Sequence, residues 1–93
     1  MQFGEKIREL RASQGLLQRQ LAASLEIDTP MFSKIERGDR KAKREQVVHL
    51  AILLDTNLSE LLRIWLADQI VELVKDEPQA IDALETAIKE VSK

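Results

Sequence analysis

The residues best suited to chemistry are cations that crowd one short stretch of the chain. Residues 34–44 (KIERGDRKAKR) hold six basic and two acidic side chains, although the 93-residue chain carries a net charge of −2. Clustered lysines and arginines bind phosphates and displace the counterions around them, which is the chemistry of nucleic-acid binding. The stretch therefore predicts a nucleic-acid contact. On charge alone, a solvated surface turn is the alternative.

The other residue types argue against catalysis and metal binding. The chain has no cysteine and one histidine, His49, which disfavours thiol chemistry, Cys-ligated zinc and a His-rich metal site. His49 precedes the apolar position Leu50, and we expect it to be a partly buried helix residue. No nucleophile, base and orienting group stand together, and the spacing of Asp76, Glu77 and Asp82 is not that of a calcium loop. We expect no enzyme, no cofactor and no metal.

Length and hydropathy indicate a small intracellular protein. No apolar run approaches the roughly 20 residues of a membrane span, and the first ten residues, MQFGEKIREL, lack the apolar segment of a signal peptide. We expect a cytoplasmic protein with one domain and a short appendage. A core of this size without disulfides is marginal, which makes self-association a reasonable expectation.

The elements that must position the cations are helices. Apolar residues recur at spacings of three and four, and glycines, prolines and capping residues separate the segments, which predicts an all-α fold. We expect helix 1 to end at Gly15, helix 2 to cover about residues 18–25, helix 3 to lie between Asp28 and Gly38, helix 4 to follow the basic stretch, helix 5 to run from about Ser59 to Lys75, and helix 6 to follow Pro78. Ser59 is the expected cap of helix 5.

Helices 2 and 3 have the spacing of two helices that cross at a tight turn. Ala22 is small enough to let them approach closely, and the residues expected to fix the crossing angle are Leu25, Ile27, Phe32 and Ile35. Helix 3 then turns its polar face outward, and a protruding helix fits the major groove of B-DNA, which is about 12 Å wide. The outward residues are Thr29, Pro30, Met31, Ser33, Lys34 and Arg37.

Residues 3–62 resemble the phage-repressor/Cro-type (XRE-like) family of DNA-binding domains. The resemblance is carried by IRELRASQGLLQRQLAASLEI, FSKIERGDRK and EQVVHLAILLDTNLSELL, which occur in the order and at the spacing of the family. It implies a five-helix helix-turn-helix domain over residues 1–62, here with helix 5 extended and a sixth helix in a C-terminal extension, residues 63–93. It also implies a transcriptional regulator, such as a repressor, that binds double-stranded DNA.

The resemblance further implies roles for individual residues. Gln18 matches a phosphate-clamping position, the outward residues of helix 3 include the base-facing positions, and the cations of residues 40–44 match the loop that follows the DNA backbone. Arg11 and Glu36 match a structural ion pair. Lys34 is suited to guanine, whose O6 and N7 accept hydrogen bonds from basic side chains. The expected DNA-binding residues are Gln18, Arg19, Thr29, Pro30, Met31, Ser33, Lys34, Arg37, Arg40, Lys41, Lys43 and Arg44.

The sequence departs from the family pattern at three places. Leu17 stands where the family has the Ser or Thr that caps helix 2, at an expected cost of about 0.5–2 kcal/mol. Glu26 replaces a turn glycine, so either it keeps a positive φ with strain on the order of 1 kcal/mol or the turn adjusts. Pro30 and Met31 offer few hydrogen-bonding groups, so we expect readout to depend partly on thymine methyl groups and DNA shape.

The C-terminal extension has more apolar surface than its own helices need. Helix 5 is apolar around more than one face, so we expect it to be buried on two sides. Our hypothesis is a homodimer on a palindromic operator with half-sites about one DNA turn apart. The alternatives are that helix 6 folds back on helix 5 in the same chain, and that the protein is an antitoxin whose C-terminal helices bind a toxin. The expected interface residues are Trp65, Leu66, Ile70, Leu73, Ile81, Leu84 and Ile88.

Overall fold

Six helices account for most of residues 2–93, the part of the chain that the computed structural model describes. They are α1 (Gln2–Ser13), α2 (Gln18–Ser24), α3 (Thr29–Arg37), α4 (Arg44–Leu53), α5 (Leu58–Val74) and α6 (Ala80–Val91). The predicted all-α fold is confirmed. Met1, the first residue of the predicted domain, lies outside the described residues. Within residues 2–93, no helix combines the length and the hydropathy of a membrane span.

The helix ends follow from local residue chemistry. Asp28 caps the start of α3, since its side chain accepts a hydrogen bond from the Met31 backbone N–H at 2.7 Å, and Gly38 caps its end with a φ of 81°, which suits a residue without Cβ. The expected cap of α5 at Ser59 is wrong, since Ser59 lies inside the first turn. Asn57, the last residue before the helix, provides the cap, because its side-chain oxygen reaches a free N–H of the first turn at 2.9 Å.

Two turns hold non-glycine residues in the left-handed region. Glu26, between α2 and α3, has a φ of 59°, and Asp55, between α4 and α5, has a φ of 50°. Of the two alternatives for Glu26, the structure has the positive φ and not an adjusted turn, and this conformation costs about 1–2 kcal/mol through contact of its Cβ with the following carbonyl. Asp55 is better suited to its turn, because a short polar side chain can hydrogen-bond locally.

The core lies between α1, α3, α4 and α5, with α2 packed against α3. Its largest fully buried side chains are Phe32, Ile7, Leu50, Leu54, Leu61 and Val47. Gly4 allows α1 to pass close to the end of α3, since a Cβ there would lie 2.3 Å from the carbonyl oxygen of Glu36. His49, expected to be partly buried, is exposed, because the buried face of α4 consists of Val47, Leu50 and Ala51.

The first half of α5 belongs to the same core as the preceding helices. Leu61 and Trp65 are buried, and the Asp68 carboxylate accepts hydrogen bonds from the backbone N–H groups of Gln2 and Phe3 at 3.1 and 2.8 Å. A carboxylate at this position pairs N–H groups that α1 itself leaves free and complements the helix dipole. The predicted domain boundary between residues 62 and 63 thus falls inside a helix that still contacts α1 at residue 68.

The second half of α5 and all of α6 extend away from the core. α6 buries none of its side chains, and Leu73, near the end of α5, is 78% exposed. The radius of gyration is 14.9 Å, whereas a compact chain of this length is expected to have about 12 Å. Within a single chain, therefore, the apolar surface of α5 is covered on one side and open on the other.

Candidate nucleic-acid interface

α3 is fixed in the core on one face and accessible on the other. Phe32, Ile35 and Glu36 are buried, and they hold the helix from behind. The six predicted outward residues divide into four that are exposed, Thr29, Pro30, Lys34 and Arg37, and two that are half-buried, Met31 and Ser33. The structure therefore brings all six to the accessible side of one helix, where the polar atoms of DNA bases can be reached.

A buried carboxylate sets the position of α3 relative to α1. Glu36 accepts hydrogen bonds from Arg11 Nε and Nη2 at 2.7 and 3.1 Å, so the predicted ion pair is confirmed. Arg11 Nη1 also donates to the Leu16 carbonyl at 3.0 Å. The hydrogen bond to Glu36 raises the pKa of Arg11 above its ordinary value, so the pair keeps its charge as the pH rises.

Gln18, the first residue of α2, shares this carboxylate. Its Nε2 donates to Glu36 Oε1 at 2.8 Å, which leaves a second amide N–H for a phosphate oxygen. Leu17 precedes α2 without a capping side chain, as predicted. Gln20 compensates in part, because its side-chain oxygen accepts from the Leu17 N–H at 2.7 Å. Arg19, the other predicted DNA-binding residue on α2, is exposed.

The basic loop, defined here as residues 39–43, joins α3 to α4. Its predicted cations Arg40, Lys41 and Lys43 are exposed, as is Arg44 at the start of α4. Within residues 2–93, none of these four forms an ion pair. Arg37 differs, since it pairs with Asp39 at 3.1 Å and donates to the Ser33 hydroxyl at 2.9 Å. In the described part of the chain, four cations at this end of α3 therefore have no carboxylate partner that would compete with a phosphate.

Trp65 connects the basic loop to α5. Its indole Nε1 donates to the carbonyl of Ala42 at 2.8 Å, and the guanidinium carbon of Arg44 lies 6.0 Å from the centroid of the ring. We predicted Trp65 at the centre of a dimer interface. The structure places it in the core of its own chain, with 9% of its surface exposed, because the ring fills space beneath the loop and its N–H finds an acceptor there.

Comparison with known proteins agrees with this geometry. The family described as "Helix-turn-helix domain" matches residues 2–64, about two thirds of the chain. The chain belongs to the helix-turn-helix domain family. Searches of curated proteins and of solved structures return no match. Helix-turn-helix domains bind DNA through the second helix of the motif, which in this helix-turn-helix protein is α3.

Trp65 and Asp68 of the helix-turn-helix protein lie just beyond the matched residues 2–64. From the sequence, we did not predict the contacts that these two residues make. Trp65 donates a hydrogen bond to the carbonyl of Ala42 in the basic loop, and Asp68 ties α5 to the start of α1. A signal for Asp68 is present in the sequence, because Leu61, Trp65 and Asp68 are spaced by four and three and so share one helix face. A carboxylate on an otherwise apolar face indicates a buried hydrogen-bond donor nearby.

A second surface of the helix-turn-helix protein lies far along the chain from the basic loop. A groove of about 530 Å³ runs between the second half of α5 and α6, and aliphatic side chains from both helices line it. Of the remaining predicted interface residues, Leu84 is half-buried and the others are exposed. We define the α5–α6 surface as the groove residues Ile70, Leu73, Leu84, Ile88 and Val91, together with the exposed Leu66 of α5 and Ile81 of α6.

Proposed function

We propose that the protein is a transcriptional regulator of the phage-repressor/Cro type, which binds double-stranded DNA with α3 in the major groove. The observation that carries the proposal is that the accessible polar face of α3 is followed directly by four cations that form no ion pair within residues 2–93. The helix supplies groups for base edges, and the loop supplies groups for phosphates. These are the two classes of contact that sequence-specific binding requires.

Within this proposal the residues divide by the contact that each makes. Lys34, exposed near the middle of α3, donates to guanine O6 and N7. Thr29 and Pro30, at the exposed start of α3, contact thymine methyl groups. The cations of the basic loop and Arg44 bind phosphates, together with the free amide N–H of Gln18. Most of the affinity then comes from phosphate contacts and falls steeply with salt.

The proposed binding unit is a homodimer joined through the α5–α6 surface. Six of the seven side chains of this surface are exposed, by 45% to 85%, and a large exposed apolar patch on a protein marks an interaction site. A twofold dimer reads a palindromic operator, and on an operator that overlaps a promoter it excludes RNA polymerase by occupying the site.

The charge distribution supports the same arrangement. Residues 1–46 hold ten Lys and Arg residues and seven Asp and Glu residues, whereas residues 47–93 hold four and nine. The second half of the chain therefore repels the DNA backbone, and it leaves the basic half to face the duplex. In this arrangement the α5–α6 surface points away from DNA and is available to a second chain.

Selection of bound sequences from a random pool of DNA duplexes tests the proposal. We expect enrichment of a twofold-symmetric sequence whose half-site centres lie about one helical turn apart. No enrichment at low ionic strength would overturn DNA recognition altogether. Enrichment of a single asymmetric half-site would overturn the dimer and keep the role of α3.

A second candidate function, an antitoxin, is favoured by the same uncovered groove. In this case the helix-turn-helix domain regulates its own operon while the α5–α6 surface binds a toxin. The two functions differ in what covers the surface, a second copy of the chain or a different protein. A neighbouring toxin gene, together with a stable complex of the two purified proteins, would favour the antitoxin.

A further inference from the structure

The basic loop concentrates positive charge, and hydrogen bonds tie its two ends to the neighbouring helices: Asp39 N–H donates to the Lys34 carbonyl at 2.9 Å, and Lys43 N–H donates to Gln46 Oε1 at 2.8 Å. Arg40, Lys41, Lys43 and Arg44 fall within five positions, and like charges so close together repel each other. Asp39, the acidic residue of the loop, is paired with Arg37 of α3. Regular helical hydrogen bonding resumes only in α4. Contacts with α5 hold the middle of the loop between these two ends.

α5 provides those contacts along a single face. Ala42 is the buried residue of the loop, with 1% of its surface exposed, and its carbonyl accepts the buried hydrogen bond from Trp65 Nε1 at 2.8 Å. The same ring lies 6.0 Å beneath the Arg44 guanidinium, at the outer limit of a cation–π contact. One turn further along, Lys41 Nζ donates to Gln69 Oε1 at 3.5 Å.

Trp65 is itself held in place on both sides along α5. Leu61, one turn before it, is fully buried. Asp68, one turn after it, binds the N–H groups of Gln2 and Phe3. Any shift of the indole would therefore disturb the core or the start of α1. The loop thus packs against a side chain whose position is fixed.

We infer that Trp65 is the positioning residue of the basic loop and sets where Lys43 and Arg44 meet the DNA backbone, an inference that rests on the proposed DNA binding. Trp65 acts through Ala42 and Arg44, since its own surface is buried. Phosphate contacts fix register and supply affinity, and they carry no direct base information. Loss of the indole N–H therefore weakens binding and lowers its salt dependence while the base preference is retained.

The test replaces Trp65 by Phe, which keeps an aromatic ring near Arg44 and removes the donor to Ala42. The control is Leu61→Val, which disturbs the core one turn away from the loop contact. Both variants and the wild type are measured well below their melting temperatures, on a mixed-sequence duplex over a range of salt concentrations. Amide hydrogen exchange of residues 39–46 is followed on the free chains.

We expect Trp65→Phe to speed amide exchange in residues 39–46 and to make the log–log salt slope shallower by about 0.9–1.8, which corresponds to one or two lost phosphate contacts. Leu61→Val is expected to leave both quantities at their wild-type values. Sequence selection with Trp65→Phe is expected to return the wild-type base preference. A changed preference would overturn the inference, because Trp65 would then act on readout.

A wild-type salt slope and wild-type exchange in Trp65→Phe would overturn the inference and leave the proposed function intact. Equal changes of the salt slope and of amide exchange in Trp65→Phe and Leu61→Val would also overturn it, because general destabilisation would explain the behaviour of both variants. If the wild type bound no duplex at low salt, the proposed function would fail and the inference with it.

A measurement on the unmodified chain covers the case in which Trp65→Phe does not fold. Trp65 is the only tryptophan and the chain has no tyrosine, so protein emission reports on the surroundings of Trp65. Saturation with the mixed-sequence duplex is expected to shift or quench that emission, because phosphates bound by Lys43 and Arg44 then lie close to the ring and change the electric field at it. Unchanged emission at saturation would overturn the inference.

Discussion

Gln18 and Glu36 are joined by a hydrogen bond of 2.8 Å from the side-chain amide to the buried carboxylate. The same carboxylate accepts two hydrogen bonds from Arg11. Glu36 therefore links the start of α2 to the ion pair between α1 and α3. A residue whose role is architectural also orients Gln18, for which we propose a phosphate contact.

Replacement of Glu36 by Gln is expected to lower the free energy of unfolding by about 3–5 kcal/mol, because it leaves Arg11 as a poorly compensated, largely buried charge. Urea denaturation followed by circular dichroism measures the loss. The matched control is Asp39→Ala, whose ion pair with Arg37 is exposed on both sides and is worth at most about 1 kcal/mol. Equal losses of unfolding free energy in Glu36→Gln and Asp39→Ala would contradict the stabilising role of the buried network around Glu36.

Replacing Lys34 by Ala and replacing Arg44 by Ala are expected to weaken DNA binding in different ways. Lys34→Ala should cost roughly 1–3 kcal/mol of binding free energy and relax the preference at one base position. Arg44→Ala should weaken binding evenly across sequences and lower the salt slope by about 0.9. Affinities for the selected operator and its single-base variants, at several salt concentrations, separate the two effects.

The control for this pair is Lys89→Ala, which removes an exposed cation from α6, the helix proposed to stay clear of DNA. This variant should change neither the affinity for DNA nor the salt slope of binding. If Lys34→Ala and Arg44→Ala gave the same base profile, the division between readout and positioning would be wrong.

Lys43 and Leu17 occupy equivalent positions before α4 and α2, and neither side chain caps its helix. In both cases a glutamine three residues later accepts from the backbone N–H of the residue before the helix, at 2.7 Å for Leu17 and 2.8 Å for Lys43. Serine at either position completes the capping box. We expect Leu17→Ser and Lys43→Ser each to stabilise the fold by about 1 kcal/mol.

DNA binding is expected to distinguish these two variants. Lys43→Ser removes a proposed phosphate contact and should lower the salt slope by about 0.9, whereas Leu17→Ser removes no charge and should keep the wild-type slope. Melting temperatures and binding titrations on the same samples check both effects. A wild-type slope in Lys43→Ser would remove Lys43 from the interface, and no gain in stability would contradict the capping geometry.

The sequence predicts the local features of this fold well, because they depend on residues close together in the chain. Periodicity and capping residues place all six helices, and the resemblance identifies the pair of Arg11 and Glu36. Trp65 is different, since an indole on an apolar helix face suits a core and an interface equally. Trp65 lies in the core because its N–H finds the Ala42 carbonyl, 23 positions away in the chain. Asp68 likewise depends on N–H groups at the start of α1.

Glu26 and Asp55 provide a matched test of backbone strain, since both are non-glycine residues with φ near 50–60°. Glu26→Gly is expected to stabilise the fold by about 0.5–1 kcal/mol, because the strain that it relieves exceeds the added entropy of the unfolded chain. Asp55→Gly should gain less, because aspartate tolerates the left-handed region. Thermal denaturation of the two variants gives the comparison, and a larger gain from Asp55→Gly would contradict the assignment of strain to Glu26.

Ile88 and Ile52 are both exposed isoleucines, at 63% and 73%, but only Ile88 lies on the α5–α6 surface. A twofold interface contains each residue twice, and burial of an isoleucine contributes about 1.5–3 kcal/mol. Ile88→Glu should therefore weaken association by roughly 3–6 kcal/mol, which is more than a hundredfold. Ile52→Glu should leave it unchanged. Sedimentation equilibrium measures both, and a wild-type chain that is monomeric at high micromolar concentration would rule out the dimer.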